Sequence, residues 1–251
     1  MYSVHPVDGL PEFRAGDELP TIIAVRLAQR EPKLCPGDIL VVTQKIVSKC
    51  EDRFVSLAAI KPSPRAVEVA AATGKDPALV EAVLRESTVI VRQAPNVLIT
   101  RHRLGHVMAN AGIDASNIGP NGSDRVLLLP ENPDASARRI ADACKARIGI
   151  LPPVVISDSF GRPWRVGTVN VAVGLWGLPA ICDQRGEKDR DGRVMQVTQI
   201  AFADSVASAA GLAMGEGREG LPVCIVRGLK WQGEAQTSRA ILRPEREDLF
   251  L

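Results

Sequence analysis

The order of strand-like and helix-like segments constrains this fold more than any other feature of the sequence. Runs rich in Val, Ile or Leu and bounded by Gly, Pro, Asn or Asp predict strands. Because the helices do not alternate one for one with these strands, a doubly wound parallel sheet is disfavoured and an α+β fold with mixed sheets is predicted. The predicted strands are Ile39–Val42, Thr88–Arg92, Val97–Thr100, Arg125–Leu129, Val154–Ile156, Val166–Val173 and Pro222–Arg227.

Start and stop signals mark four helices. Ser63 and Asp76 each precede a proline, and Gly74 ends the first of the two helices, which predicts a helical hairpin near Ser63–Glu86. A third helix is expected after Asp134, where apolar residues recur every four positions. A fourth is expected over about Gln199–Met214, with small side chains on its inner face.

Composition limits the domain organisation and the classes of partner. A chain of 251 residues without a Ser/Gly linker predicts one module over residues 1–251, built either as one large domain or as two interleaved lobes with unknown boundaries. A net charge of +2 gives no argument for binding nucleic acid or an anionic membrane. No apolar run approaches the roughly 20 residues of a membrane helix. Five widely spaced cysteines favour reduced thiols and a cytoplasmic protein.

The strand at Val154–Ile156 is followed by a predicted turn that carries an acid, a hydroxyl and two guanidiniums. Asp158 and Ser159 offer the hard oxygen donors that Mg²⁺ or Mn²⁺ prefers. Arg162 and Arg165 offer paired donors for phosphate oxygens. The same residues could instead cap a turn and pack against it. The segment alone therefore leaves a metal-bound phosphate site and a structural turn both open.

A second polar cluster follows a Gly-containing turn and contains Asp114 and Asn117. Their three-residue spacing would place both side chains on one side of a helical turn, where a carboxylate for a cation and an amide for a ligand could converge. Taken by themselves, these residues favour an Asx turn or a helix cap.

Two further segments could contact phosphate. Lys45 and Lys49 follow a predicted strand, and Met214–Leu221 is a Gly-rich loop in which Glu216 could bind a metal. Surface lysines and a solvated loop are the structural alternatives. The P-loop, Rossmann and Gly-x-Ser-x-Gly patterns are absent, which removes the common nucleotide-fold and hydrolase interpretations. Metal-assisted chemistry on phosphate is the interpretation that these absences leave open.

Other polar segments are less informative. His102 and His106 have a spacing that would suit zinc on a helix, but the arginines around them and the lack of a third ligand favour a basic loop. Asp183–Arg193 predicts a solvated hairpin.

Several of these segments together resemble one family, the coenzyme F420-0:L-glutamate ligases, also called F420-0 gamma-glutamyl ligases, in their stand-alone form. The similar pieces occur in the family's order over nearly the whole chain, so they are more specific together than any one of them. They are Pro6–Pro11, Gly37-Asp38, Ile46–Lys49, Ala111–Asn117, Ser157–Pro163 and Met214–Glu216.

The resemblance implies a GTP-dependent ligase that joins the amine of L-glutamate to a carboxylate of the deazaflavin precursor of coenzyme F420. It also implies an acyl-phosphate intermediate, extension of a γ-linked glutamyl tail, a homodimer and an unusual α+β fold. The implied cofactors are two Mg²⁺ or Mn²⁺ ions and K⁺, with GTP as co-substrate. The chain departs from the family at Gln44-Lys45 and at Ala203-Asp204-Ser205, where the family often has Ala-Asp-Glu.

The motif positions assign roles to individual residues. Asp114 and Asp158 would hold one divalent ion, and Ser159 with Glu216 a second. Asp158, Arg162 and Lys49 are the expected catalytic residues, with Arg162 clamping phosphate or a substrate carboxylate. The residues implied to contact the nucleotide are Leu10, Pro11, Glu12, Phe13, Gln44, Lys45, Lys49, Asn117, Met214, Gly215, Glu216, Gly217, Arg218, Glu219, Gly220 and Leu221.

Two other functions fit the same residues. One is a metal-dependent, nucleotide-driven amide ligase or phosphotransferase that acts on another carboxylate. The other is a nucleotide- or anion-binding regulator without catalytic activity. Formation of a glutamyl product separates the ligase from both.

Overall fold

The structure, a computed structural model, describes residues 1–118 and 124–248, which form mixed sheets packed with helices. The strands are β1 (Ser3–Pro6), β2 (Ile39–Thr43), β3 (Phe54–Ser56), β4 (Ser87–Ala94), β5 (Val97–His102), β6 (Val107–Ala109), β7 (Arg125–Leu127), β8 (Val154–Gly161), β9 (Thr168–Trp176), β10 (Cys182–Asp183), β11 (Gln199–Ile200) and β12 (Val223–Arg227). The helices are α1 (Leu19–Gln29), α2 (Gln44–Cys50), α3 (Pro64–Thr73), α4 (Pro77–Arg85), α5 (Pro133–Ile148) and α6 (Phe202–Met214).

A five-stranded sheet in the order β1-β12-β2-β8-β9 contains the principal core. Only β2 and β8 pair in parallel, and the other neighbours are antiparallel. One face packs against α1 and α5, and the opposite face packs against α6. The alternating side chains of β2 and β8 supply both cores, which explains why these strands are almost entirely apolar. The mixed sheet confirms the predicted α+β class.

A second group of elements lies between α2 and α5 in the sequence. It comprises the three-stranded antiparallel sheet β4-β5-β6, the helices α3 and α4, and the strand pair β3-β7. A smaller core joins α3 and α4 to β5 through residues such as Val69, Val83 and Leu98. The five-stranded sheet therefore draws its strands from chain segments on both sides of this group.

The helical hairpin forms as its caps predict. The Ser63 side chain accepts a hydrogen bond from the Ala66 amide, and Asp76 accepts from the amides of Ala78 and Leu79. Gly74 adopts a left-handed conformation with φ 68° and ends α3. The third and fourth predicted helices correspond to α5 and α6.

Two predictions of local structure were wrong. The segment after Ile156 was predicted to turn, but β8 continues to Gly161 and pairs with β9 through a bulge between Ile156 and Ser157. Asp114 and Asn117 do not share a helical turn, because Asp114 forms an isolated antiparallel bridge with Leu127.

Other expectations can be compared directly with the structure. All five cysteines are free thiols. The segment after β10 is an exposed hairpin that returns to β11 through a bridge between Lys188 and Val194. Among the residues that the structure describes, no helix combines the length and apolar character needed to cross a membrane.

Candidate functional site

A cavity at the carboxyl end of β2, beside the middle of β8 and β9, brings together side chains from segments far apart in the sequence. Among the lining residues that the structure describes there are four carboxylates and one cation, Lys45, and we call this the acidic cavity. Its lining residues are Thr43, Lys45, Asp114, Asn117, Asp158, Ser159, Asn170, Met214, Gly215, Glu216, Gly217, Glu219, Gly220, Leu221 and Pro222. All four predicted metal ligands are in this set.

Gln44 joins the two aspartates of the acidic cavity. Its Nε2 donates to Asp114 Oδ2 at 2.8 Å, and its side chain also hydrogen-bonds Asp158. Ser48 Oγ donates to Gln44 Oε1 at 2.9 Å, which fixes the orientation of the amide. Gln44 is almost fully buried at the start of α2. The predicted nucleotide contact of Gln44 stays a prediction, and in the structure its side chain hydrogen-bonds the two acids.

The surroundings of the two aspartates disfavour their ionised forms. Burial and then the neighbouring charge of Asp114 raise the pKa of Asp158 to about 7. Burial also raises the pKa of Asp114, with the charge of Glu216 acting in the same direction and Lys45 opposing both. The Lys45 ammonium lies 3.5 Å from Asp114 Oδ2. The cavity therefore holds more negative charge than its own lysine compensates.

Glu216 is held by two polar residues of the β8–β9 pair. Ser159 Oγ donates to Glu216 Oε2 at 2.7 Å, and Asn170 Nδ2 donates to Glu216 Oε1 at 2.6 Å. Ser159 and Asn170 are register partners. Gly211 of α6 allows the helix to approach, because a Cβ there would lie 2.3 Å from Asn170 Nδ2.

Sequence reasoning missed Asn170 and Thr43. A signal for Asn170 existed, since it is the one polar residue within the apolar run Val169–Val173. A polar residue at the centre of such a strand needs a partner, and here that partner is Glu216.

A second cavity adjoins the acidic one. Its lining residues are Glu12, Ile46, Lys49, Ala115, Asn117, Ile118, Gly217, Arg218 and Gly220. The two cavities share Asn117, whose Nδ2 donates to the Gly217 carbonyl at 3.2 Å. Lys49 is 8% exposed and contributes a cation to this second wall together with Arg218. Every residue of Met214–Leu221 lines one cavity or the other.

Gln44 and four other predicted site residues are absent from the described linings of both cavities. Arg162 is exposed and donates from Nη1 to the Gly167 carbonyl at 3.3 Å, so it stays at the β8–β9 turn. Phe13 is buried in the principal core and Leu10 packs against that core. Pro11 is exposed beside them. Their predicted roles in catalysis and nucleotide binding stay predictions.

The donor set of the acidic cavity fits a hard divalent cation. Its carboxylate and hydroxyl oxygens are the ligands that Mg²⁺ and Mn²⁺ prefer, and a cation would offset the burial and the repulsion that together raise the pKa of both aspartates. Within 1–118 and 124–248, no three His, Cys, Asp or Glu side chains converge tightly enough to hold a metal. The acids are instead hydrogen-bonded to Gln44, Ser159 and Asn170. Metal binding would exchange some of these bonds for coordination.

Comparison with known proteins identifies the family of this chain. The family model described as F420-0:Gamma-glutamyl ligase matches residues 9–228. A protein named coenzyme F420:L-glutamate ligase from Methanothermobacter thermautotrophicus is 43% identical over 247 residues, covering 97% of this chain and 96% of the relative. Relatives with the same name from Methanopyrus kandleri and Halorubrum lacusprofundi are 42% and 47% identical, covering 98% and 88% of this chain and 96% and 85% of the relatives. The chain therefore belongs to the F420-0:gamma-glutamyl ligase family.

Proposed function

We propose that this protein is a GTP-dependent ligase that adds L-glutamate to the deazaflavin precursor of coenzyme F420 and then extends a γ-linked glutamyl tail. One observation carries the proposal: the acidic cavity gathers Asp114, Asp158, Ser159 and Glu216 directly beside a second cavity that contains Lys49 and Arg218. Acids for metal ions and cations for phosphate are the two sets of groups that phosphoryl transfer requires. The printed name of the relatives supplies the substrate class.

The ligation needs an activation step, because a carboxylate is a poor acceptor for an amine. In the proposed first step, an acceptor carboxylate oxygen attacks the γ-phosphorus of GTP, and the bond to the β-phosphate oxygen breaks. GDP leaves and an acyl phosphate forms. Lys45, Lys49 and Arg218, which line the two cavities, would contact phosphate oxygens and reduce the charge repulsion between the two anions.

The second step forms the amide. The amine nitrogen of L-glutamate attacks the acyl carbon, the carbon–oxygen bond to phosphate breaks, and inorganic phosphate leaves while the amine proton passes to solvent. The loop Met214–Leu221 lines this site, and we expect it to limit the access of water to the acyl phosphate.

Divalent ions complete the proposal. Asp114 and Asp158 would hold one Mg²⁺ or Mn²⁺, and Ser159 and Glu216 a second, with K⁺ as an additional ion. Such ions would neutralise charge on the transferring phosphoryl group. We also expect a homodimer, which light scattering on the purified protein would test.

Mass spectrometry of the deazaflavin tests the function directly. The purified protein is incubated with the precursor, GTP, Mn²⁺ and L-glutamate, and the expected products differ by single glutamyl units. GDP and phosphate are measured in the same reaction and should equal the number of amide bonds formed.

Matched variants assign the activity to the site. Asp158→Asn keeps the side-chain size but removes the charge, and we expect loss of glutamyl product. Asp183→Asn changes an exposed aspartate that pairs with Arg185 outside the cavities, and it should retain activity. GTP hydrolysis with another carboxylate, but none with the deazaflavin, would identify a ligase or phosphotransferase for a different acceptor. Nucleotide binding without any turnover would identify a regulator.

A further inference from the structure

A third cavity lies between the β4-β5-β6 sheet and the β9 edge of the five-stranded sheet, and neither metal nor nucleotide accounts for it. Its volume is about 370 Å³, within the range of small-molecule pockets. Val91 and Val107 form one wall, and Phe160 and Val171 form the opposite wall. We call it the inter-sheet cavity.

This cavity continues directly from the acidic cavity along β8 and β9. Val171, which lines the inter-sheet cavity, is the register partner of Asp158, which lines the acidic cavity. Phe160 follows Asp158 by two residues on the same strand, so the two side chains share a face about 7 Å apart along the strand. An elongated ligand could therefore place its body beside Phe160 and its end beside Asp158.

The polar groups of the inter-sheet cavity lie among apolar walls. His106 is buried, and burial, with a smaller effect of the neighbouring His102, lowers its pKa to about 4, so its ring is neutral at physiological pH. Asp204 uses Oδ1 to accept the Ala172 amide at 2.9 Å, which places its carboxyl group at the cavity. Arg101 is buried and pairs with Glu245 and Asp248, and the exposed Arg243 lies at the rim.

These features match one part of one substrate. An aromatic ring with hydrogen-bonding edges suits apolar walls that include a phenylalanine and that carry a few fixed polar groups. Arg243 could contact an anionic substituent at the rim. With the acidic and second cavities assigned above to metal ions and GTP, the acceptor and L-glutamate remain without a site, and of these two the acceptor is the one whose ring suits apolar walls.

We propose that the inter-sheet cavity binds the planar heteroaromatic ring of the acceptor and thereby directs the acceptor carboxylate to Asp158 in the acidic cavity. This inference rests on the proposed function, since it assumes that the acceptor carries a deazaflavin ring. It adds the location of that ring and the residues that select it.

A pair of matched substitutions tests the proposal. Val107→Trp fills the cavity from a strand position that is 38% exposed. Val89→Trp makes the same change on β4 at a position that is 43% exposed and outside the cavity lining. We expect Val107→Trp to raise the Kd and the KM of the deazaflavin precursor at least about tenfold, a change of about 1.4 kcal/mol. The KM of GTP should stay unchanged, and Val89→Trp should behave as the wild type.

Binding is measured by titrating the full chain with the precursor and following the precursor's own fluorescence without nucleotide, so the result does not depend on turnover. If Val107→Trp also weakens GTP binding or lowers the Tm, Asp204→Asn is used in its place. This substitution keeps the side-chain size and should weaken only the binding of the precursor. A wild-type protein that neither binds nor glutamylates the precursor contradicts the proposed function. A functional wild type with precursor binding unchanged in both cavity variants overturns the location of the ring only.

Discussion

The arrangement of the carboxylates in the acidic cavity depends on the hydrogen bonds of single residues. The buried Gln44 amide hydrogen-bonds two carboxylates that repel each other, and Ser48 keeps its donor pointed at them. Without such a donor, two buried anions would separate or take up a proton. This unfavourable arrangement of charge is typical of binding sites and would be relieved by a bound cation.

The stability of the metal-free protein should report this repulsion at Asp158. Its ordinary pKa is 3.8 and its folded pKa is about 7, so the folded state binds more protons between these values and stability falls as the pH rises through them. In EDTA at pH 8 we expect Asp158→Asn to be more stable than the wild type, by about 1 to 2 kcal/mol once partial solvent access is allowed for. The difference should disappear near pH 4. Urea denaturation at both pH values measures it, and a less stable variant at pH 8 would refute the repulsion.

Gly211 is a second position at which a single added methyl group should disturb the acidic cavity. A methyl group there would meet Asn170 Nδ2 at 2.3 Å and force the amide away from Glu216. We expect Gly211→Ala to weaken Mn²⁺ binding about tenfold, equal to about 1.4 kcal/mol. Gly161→Ala is the control, because nothing lies within 4 Å of its added Cβ and its φ is not in the left-handed region.

We expect Gly211→Ala to weaken Mn²⁺ binding by displacing the side chain of Asn170. If Gly211 acts by positioning Asn170, the double variant Gly211→Ala/Asn170→Ala should bind Mn²⁺ no more weakly than Asn170→Ala. Additive losses in isothermal titration would show instead that Gly211 acts through general packing of α6.

At the scale of secondary-structure elements, the sequence predicts the helix boundaries that capping residues and helix-breaking residues set. Ser63, Asp76 and Gly74 define the α3–α4 hairpin because each makes a local hydrogen bond or adopts a local conformation. The helix α2 carries no such signal, since Thr43 makes no side-chain cap bond and the helix follows β2 without a break. The end of β8 was missed for the opposite reason: Asp158 and Ser159 are typical of turns, but pairing with β9 keeps them extended.

Glu86 ties several elements of the second group together. It accepts hydrogen bonds from Arg53 at 3.0 Å, Arg103 at 3.1 Å and His102 at 3.2 Å. His102 Nδ1 accepts from the Leu104 amide, so its Nε2 carries the proton that is donated to Glu86. Burial opposes ionisation of Glu86, but these three partners outweigh it and lower its pKa to about 2.

This network predicts an acid-dependent loss of stability. Glu86 has an ordinary pKa of 4.5, so its stabilising effect should be complete above that value and decline as the pH falls towards 2. We expect Glu86→Gln to cost about 2 kcal/mol at pH 7 and much less near pH 3. The exposed Glu68, which pairs with Arg65, is the control, and Glu68→Gln should cost less than about 0.5 kcal/mol in the same denaturation experiments. Equal costs at pH 7 and pH 3 would contradict the lowered pKa.

At the scale of the whole molecule, the site depends on contacts that no local pattern contains. Asp114 reaches the acidic cavity through its bridge to Leu127, and Glu216 reaches it from the loop after α6. Composition and spacing left both residues open to structural interpretations. The order of several motifs along the chain, as in the family, indicated that they belong to one site. The inter-sheet cavity was not predicted, because its walls come from apolar residues of two sheets whose packing is not encoded locally.

Because the site is assembled from segments throughout the fold, ligand binding should stabilise the molecule as a unit. Without a divalent ion, the carboxylates of the acidic cavity repel a triphosphate, so GTP alone should raise the Tm little. GTP and Mn²⁺ together at about 100 times their dissociation constant should add about 2.7 kcal/mol and raise the Tm by about 5 to 10 °C. In Asp114→Asn this cooperative shift should be lost, whereas Asp183→Asn should keep it. A full shift with GTP in EDTA would mean that the acids do not act through metal, and the assignment of Asp114 and Asp158 as its ligands would then be wrong.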